Sequence, residues 1–65
     1  MFDARLKELR LEKSLTQSQL AKEIGASKQN ISDWETGKSE TNFETLVKIA
    51  KFFKVSTDYL LGLED

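Results

Sequence analysis

Between Lys28 and Thr36 the chain reads KQNISDWET, a short run dense in hydrogen-bonding side chains. On a helical wheel Ile31 and Trp34 define one side. That turns Gln29, Ser32, Asp33 and Thr36 to the other, with Lys28 and Asn30 on the flanks. Such a face can recognise polar edges but cannot make or break bonds. Gln or Asn pairs bidentately with adenine, Lys donates to guanine, Ser meets several base edges and Asp accepts from cytosine. Each side chain thus has a partner in the major groove of duplex DNA. An ordinary solvated helix face carries the same residue types, so the surrounding elements must decide.

Other chemistry finds little to work with. The 65 residues contain no His, Cys or Pro, which removes disulfides, thiolate or imidazole metal sites and the usual nucleophile and base pairs. No glycine loop is built to cradle phosphate, and the carboxylates lie beside Lys or Arg on helix faces. We therefore expect no enzyme, cofactor, metal or small-molecule ligand. A chain this short buries only roughly 60% of its unfolded surface, so residues 1–65 form one domain with an efficient apolar core, extended by dimerisation. Charges begin at Asp3, and no apolar run approaches the roughly 20 residues a membrane span needs, so a soluble cytoplasmic protein is expected. Ten basic against eleven acidic residues give a net charge of -1. That argues against holding DNA mainly through phosphates, and calls for a locally basic face and two copies acting together.

Helical periodicity and caps organise the rest. Phe2, Leu6 and Leu9 recur at helical spacing in a first helix of about Asp3 to Lys13, with Asp3 and Arg10 placed to suit its dipole. Thr16 and Gln19 fit a capping box, Leu20, Ala21 and Ile24 form one face, and Gly25 ends this second helix. Ser27 caps a third, with Ala26 and Ile31 as a hydrophobic staple. Thr41 or Asn42 caps a fourth whose apolar stripe reads Phe43, Leu46, Val47, Ala50 and Phe53. Ser56 caps a short last helix, stapled by Val55 and Leu60 and ended by Gly62; Gly37 similarly follows the third helix. Nothing alternates like a strand. A short helix with a small residue at Ala21, a turn at Gly25 and an outward polar helix together make the geometry of a helix-turn-helix, about residues 17–36.

The string LTQSQLAKEIGASKQNISDWETGK, followed by LVKIAKFFKVSTDYLLG, resembles the helix-turn-helix family of phage repressors, Cro proteins and their bacterial relatives, the xenobiotic-response-element-like regulators. Thr16, Gln17, Leu20, Ala21, Gly25, Ser27, Ile31, Trp34, Glu35, Gly37 and Lys38 carry the likeness, which covers nearly the whole chain. It implies an all-α, compact five-helix lambda-repressor-like DNA-binding domain, bacterial or phage-encoded, that binds a palindromic operator in double-stranded DNA as a homodimer and acts as a repressor. The third helix would lie in the major groove and the second across the backbone. Carried over, Ser27, Lys28, Gln29 and Asp33 would approach base edges, beside Ser32 on the same face. Gln17, Thr36, Lys38 and Ser39 would hold the DNA backbone. Arg10 and Glu35 stand where the family often has an ion pair, which would leave Arg10 partly available to the backbone as well.

Glu40 and Thr41 depart from the family's Pro and basic loop residues, and Asp33 stands where an amide or basic residue would read DNA more easily. Asp33 would either select cytosine or act by rejecting other bases. Phe52, Leu61 and Leu63 lie off the core stripes toward the C-terminal region, where the family commonly dimerises, and are the candidate dimer interface. The rival reading is a protein-interaction module, such as an antitoxin or co-regulator that keeps the same helical domain.

Overall fold

A computed structural model describes residues 1–64. Five helices follow one another: α1 (Phe2–Glu12), α2 (Gln17–Ile24), α3 (Lys28–Glu35), α4 (Phe43–Phe53) and α5 (Thr57–Leu60), with no strand among the described residues. The expected order and type of elements hold, with α1 displaced by one residue at each end.

Local chemistry sets most of the boundaries. The Thr16 hydroxyl accepts from the Gln19 amide at 3.1 Å while the Gln19 side chain accepts from the Thr16 amide at 2.8 Å, closing the capping box. Ser27 does the same for α3 with Asn30, at 3.0 and 3.3 Å. Asn42, not Thr41, caps α4, its Oδ1 accepting from the Thr45 amide at 2.8 Å, and Ser56 caps α5 through Tyr59 at 2.9 Å. Caps of this kind contribute about 1 kcal/mol each. The start of α1 has another arrangement: the Asp3 carboxylate accepts from the terminal ammonium at 3.0 Å and the Ala4 amide at 2.9 Å. The ammonium first, then that amide, holds the Asp3 carboxyl below its ordinary value.

Every helix sends side chains into one core. Leu6, Leu20, Ile31, Ile49 and Leu60, one from each helix, are its largest fully buried members. Burying a side chain of this size stabilises by about 1.5–3 kcal/mol. The two ends of the chain are drawn together across α1 and α5. The Arg5 guanidinium lies 4.2 Å from the Tyr59 ring centroid and donates to the carbonyls of Tyr59 and Glu64, both at 2.9 Å.

The face of α4 differs from its sequence reading. Leu46, Ile49, Ala50 and Phe53 are buried, whereas Phe43 is 84% exposed and Val47 40%. At about 100° per residue the four buried positions span an arc of about 100°, with Phe43 and Val47 just beyond one edge and Phe52 beyond the other. A five-residue apolar stripe broader than its binding surface left the choice of edge to tertiary packing, and Ile49 entered in place of Phe43 and Val47.

Gly25, Gly37 and Gly62 have positive φ, as their places after helices required. Two further turns take the left-handed conformation without glycine, at Ser14 (φ 56°) and Lys54 (φ 58°). Left-handed backbone costs a residue with a Cβ about 1–2 kcal/mol, part of which glycine returns as greater freedom when unfolded. Lys54→Gly is therefore expected to stabilise the domain by about 0.5–1 kcal/mol. A thermal midpoint unchanged or lowered relative to the parent chain would contradict this.

Candidate nucleic-acid interface

The α2–α3 junction begins with an apolar seam. Leu20, Ala21 and Ile24 of α2 and Ile31 and Trp34 of α3 are all buried. Gly25 turns the chain between them with φ 70° and ψ 32°, and the Ala26 amide closes back on the Ala21 carbonyl at 2.8 Å. A Cβ at Gly25 would meet nothing within 4 Å, so the backbone angle, not space, requires glycine there. With Ile31 and Trp34 anchored, the opposite side of α3 faces out: Lys28 and Gln29 are exposed, Ser32 and Asp33 half-buried.

That outward face is partly organised before any ligand arrives. The Gln29 amide nitrogen donates to Asp33 Oδ1 at 2.8 Å. Asn30, read as a flanking polar group, is turned back into the α3 cap, and Ser27 is engaged with it. Beyond the helix the Thr36 hydroxyl donates to the Ser32 carbonyl at 2.9 Å. The Lys38 and Ser39 amides both donate to the Asp33 carbonyl, at 2.8 and 3.4 Å, clamping the loop after α3. Lys28 opens α3 and Lys38 follows its end. Both are exposed, and neither forms an ion pair among the described residues. The two cations thus bracket a helix about 12 Å long. Glu40 is exposed just beyond Lys38.

Behind α3 lies a buried charged group. Arg10 Nε donates to Glu35 Oε2 at 2.6 Å and Nη2 to Oε1 at 3.0 Å, while Nη1 donates to the Leu15 carbonyl at 2.8 Å. The hydrogen bond to Glu35 holds the Arg10 proton more firmly than usual, with burial opposing it. Arg10 and Glu35 are each only 8% exposed. The guanidinium expected to serve both an ion pair and the DNA backbone is thus largely buried in the pair, with two of its five N–H groups outside these three bonds. Gln17 joins the same group, Nε2 donating to Glu35 Oε1 at 3.2 Å. Its amide nitrogen carries a second N–H that remains for an outside acceptor.

The three candidate dimer residues separate. Leu61 (45% exposed) lines a shallow depression with Phe2, Phe43 and Leu46, and Leu63 is 73% exposed just past it in sequence. Phe52 is half-buried elsewhere, beside Ile24, Lys48 and Lys51, its ring edge-on to Phe53 at 5.0 Å. Phe52 thus belongs to another surface, on the other flank of α4. Phe43, assigned to the core from sequence, is the large exposed side chain beside Leu61. Sequence reading also missed the Gln29–Asp33 bond, although Gln and Asp four apart on a helix are a known pairing.

Residues 6–60 match the family model described as helix-turn-helix. Over 98% of its length the chain is 47% identical to the HTH-type transcriptional activator BcrR of Enterococcus faecalis, covering 31% of that protein. It superposes with a TM-score of 0.88 on the c2 repressor of phage P22, solved in complex with a synthetic operator, at 33% identity and covering 92% of this chain and 91% of the other. SinR of Bacillus subtilis, a master regulator for biofilm formation solved in complex with DNA, gives a TM-score of 0.85 at 31% identity, covering 94% and 98%. The phage-repressor likeness and the five-helix fold are borne out by these similarities. The chain spans 31%, 56% and 58% of the lengths of three curated relatives.

The buried group behind α3 makes a distinct prediction. Glu35→Ala leaves Arg10 buried without its partner and is expected to destabilise by about 3–5 kcal/mol, whereas the double replacement Arg10→Met with Glu35→Leu loses much less. Urea denaturation of the two variants checks this. A Glu35→Ala chain as stable as the parent would refute the brace.

Proposed function

We propose a function from one premise: this chain belongs to the helix-turn-helix family. It acts as a sequence-specific, double-stranded DNA-binding domain of a transcriptional regulator, with α3 in the major groove and α2 across the backbone. The observation that carries this reading is the outward face of α3, held by a buried seam on one side and bracketed by Lys28 and Lys38 at its ends. Ser27, Lys28, Gln29 and Ser32 are the base-reading set, with Asp33 on the same face beside Gln29. Gln17, Thr36, Lys38 and Ser39 hold the DNA backbone, Gln17 through its remaining N–H and the start of α2 through first-turn amides that no helix can pair internally. The phage P22 repressor in complex with a synthetic operator and SinR in complex with DNA support the DNA-binding reading.

Operator binding is by a homodimer. A net charge of -1 gives one copy little non-specific hold on phosphate, so two half-sites must act together. The longest dimension of the domain, 27 Å, lets two copies sit side by side with their α3 helices about 34 Å apart, one helical turn of DNA. Phe43 and Leu61, with Leu63 beyond them, offer an exposed apolar face for that pairing. Repression follows when the occupied operator overlaps the polymerase site. The activator name of the Enterococcus faecalis relative supports a second outcome for the same domain, set by where the operator lies. The setting is the cytoplasm, where bacterial or phage DNA is read.

Selection from random duplex DNA, repeated at rising salt, tests this. We expect a palindrome with half-sites about 34 Å apart. Gln29→Ala should cost about 1–3 kcal/mol and relax preference at one base, while Lys38→Ala weakens all sequences and lowers the salt slope by about one. Equal losses on selected and random DNA for Gln29→Ala would remove it from the base-reading set. If the parent chain enriches no sequence at low salt, the domain is a protein-interaction module instead.

A further inference from the structure

Gln29 and Asp33 sit one turn apart on α3, joined by the 2.8 Å bond from Gln29 Nε2 to Asp33 Oδ1. An ionised carboxylate only accepts, so this contact decides which way round the amide lies: nitrogen toward Asp33, Oε1 away from it. No cation lies within ion-pair distance of Asp33 among the described residues, so nothing competes with Gln29 for that oxygen in a salt bridge. The backbone beneath is anchored as well, since the Asp33 carbonyl accepts from the amides of Lys38 and Ser39.

The orientation matters for what Gln29 can read. An unrestrained glutamine can place its acceptor and one N–H against adenine N6 and N7, or turn and offer both N–H groups to guanine O6 and N7. With one N–H held by Asp33, the adenine arrangement stays complete, because it needs only Oε1 and the other N–H. The guanine arrangement loses a donor. The Asp33 carboxylate adds repulsion toward guanine, whose major-groove edge consists of acceptors.

We infer that Asp33 is a positioning residue that locks the Gln29 amide in the orientation that reads adenine and rejects guanine. The inference rests on α3 being the base-reading helix. Its electrostatic consequence has the opposite sign to its effect on specificity: the negative charge weakens binding to every sequence while sharpening the choice at one base pair. Asp33 then need not touch a base at all.

The test uses the parent chain, Gln29→Ala, Asp33→Ala, the double variant and Asp33→Asn, each carried through random-duplex selection. Dissociation constants follow on the selected site and on its A→G change at the base whose preference Gln29→Ala abolishes. The parent is expected to discriminate roughly 5- to 150-fold there, the range of a good bidentate pair. Asp33→Ala should bind random DNA more tightly yet discriminate less than about threefold at that base, with other positions unchanged. Asp33→Asn, which keeps an acceptor for Gln29 without the charge, should retain more discrimination than Asp33→Ala. Adding Asp33→Ala to Gln29→Ala should change that base preference no further. Discrimination as strong in Asp33→Ala as in the parent overturns the inference while leaving the DNA reading intact. So does a preference lost through Asp33 even without Gln29, which would mean direct reading by the carboxylate. A parent chain that enriches nothing overturns the DNA reading and this inference with it.

Discussion

The arrangement of the first three helices turns on the contact between Arg10 and Glu35. Arg10 comes from α1, Glu35 from the last turn of α3, and the group draws in the Leu15 carbonyl from the intervening loop and the Gln17 amide from α2. Taking two charges out of water costs several kcal/mol per ion, and their attraction roughly offsets that only where geometry is good and the remaining hydrogen-bonding capacity is used. Both conditions hold here: two parallel bonds join guanidinium and carboxylate, and a third guanidinium nitrogen has its own acceptor. Leucine and methionine in the same space could give equal stability. What they could not give is direction, because an apolar contact tolerates sliding and rotation whereas a bidentate pair does not. The pair therefore sets the rotation of α3 about its own axis relative to α1 and α2.

That rotation decides which residues reach outward. With Ile31 at 0% exposure and Trp34 at 7%, a turn of even one residue's angle on α3 would exchange buried and outward side chains. The start of the helix is held separately by the Ser27–Asn30 box and the Gly25 turn, and its end by the amides of Lys38 and Ser39 on the Asp33 carbonyl. Each device orders groups in the free domain that a loosely held helix would have to order on meeting a ligand. Affinity and selectivity both gain when that ordering is complete beforehand. The Gln29–Asp33 bond extends the same logic from the backbone to a single side chain.

How much of this was legible in the amino-acid order follows from the range of the interactions. Caps and turns act over three or four residues, so Thr16 with Gln19, Ser27 and Ser56 could be read directly, as could the three helix-ending glycines, and the α4 cap could be narrowed to Thr41 or Asn42. The outward face of α3 was legible because Ile31 and Trp34 leave only one side for the core. Asn30 escaped because a capping box usually carries Glu or Gln at that place, and the shorter side chain reads first as a surface group. The α4 assignment failed on a longer range. Phe43, Leu46, Val47, Ile49 and Ala50 are all apolar, and which arc is buried depends on where α1, α2 and α5 lie, information no local window contains. Lys54 shows the limit from the other side: a left-handed helix end, closed by the Val55 amide on the Ala50 carbonyl, carried no glycine to announce it.

Charge placement brings these strands together. Few cations flank α3, and Asp33 and Glu40 lie on or just beyond it, so the proposed complex cannot rest on phosphate attraction as strongly basic domains do. A weak non-specific term has its own advantage, because the competing sites in a genome vastly outnumber the correct one and selectivity depends on the ratio of the two affinities. Lowering the affinity for random sequence raises that ratio as surely as adding a base contact, provided a second subunit restores total affinity at the paired site. In the proposed complex a rigidly oriented α3, a restrained Gln29 and a sparse set of cations would then be parts of one solution: a domain that binds poorly alone and everywhere, and well only in pairs at a matching site.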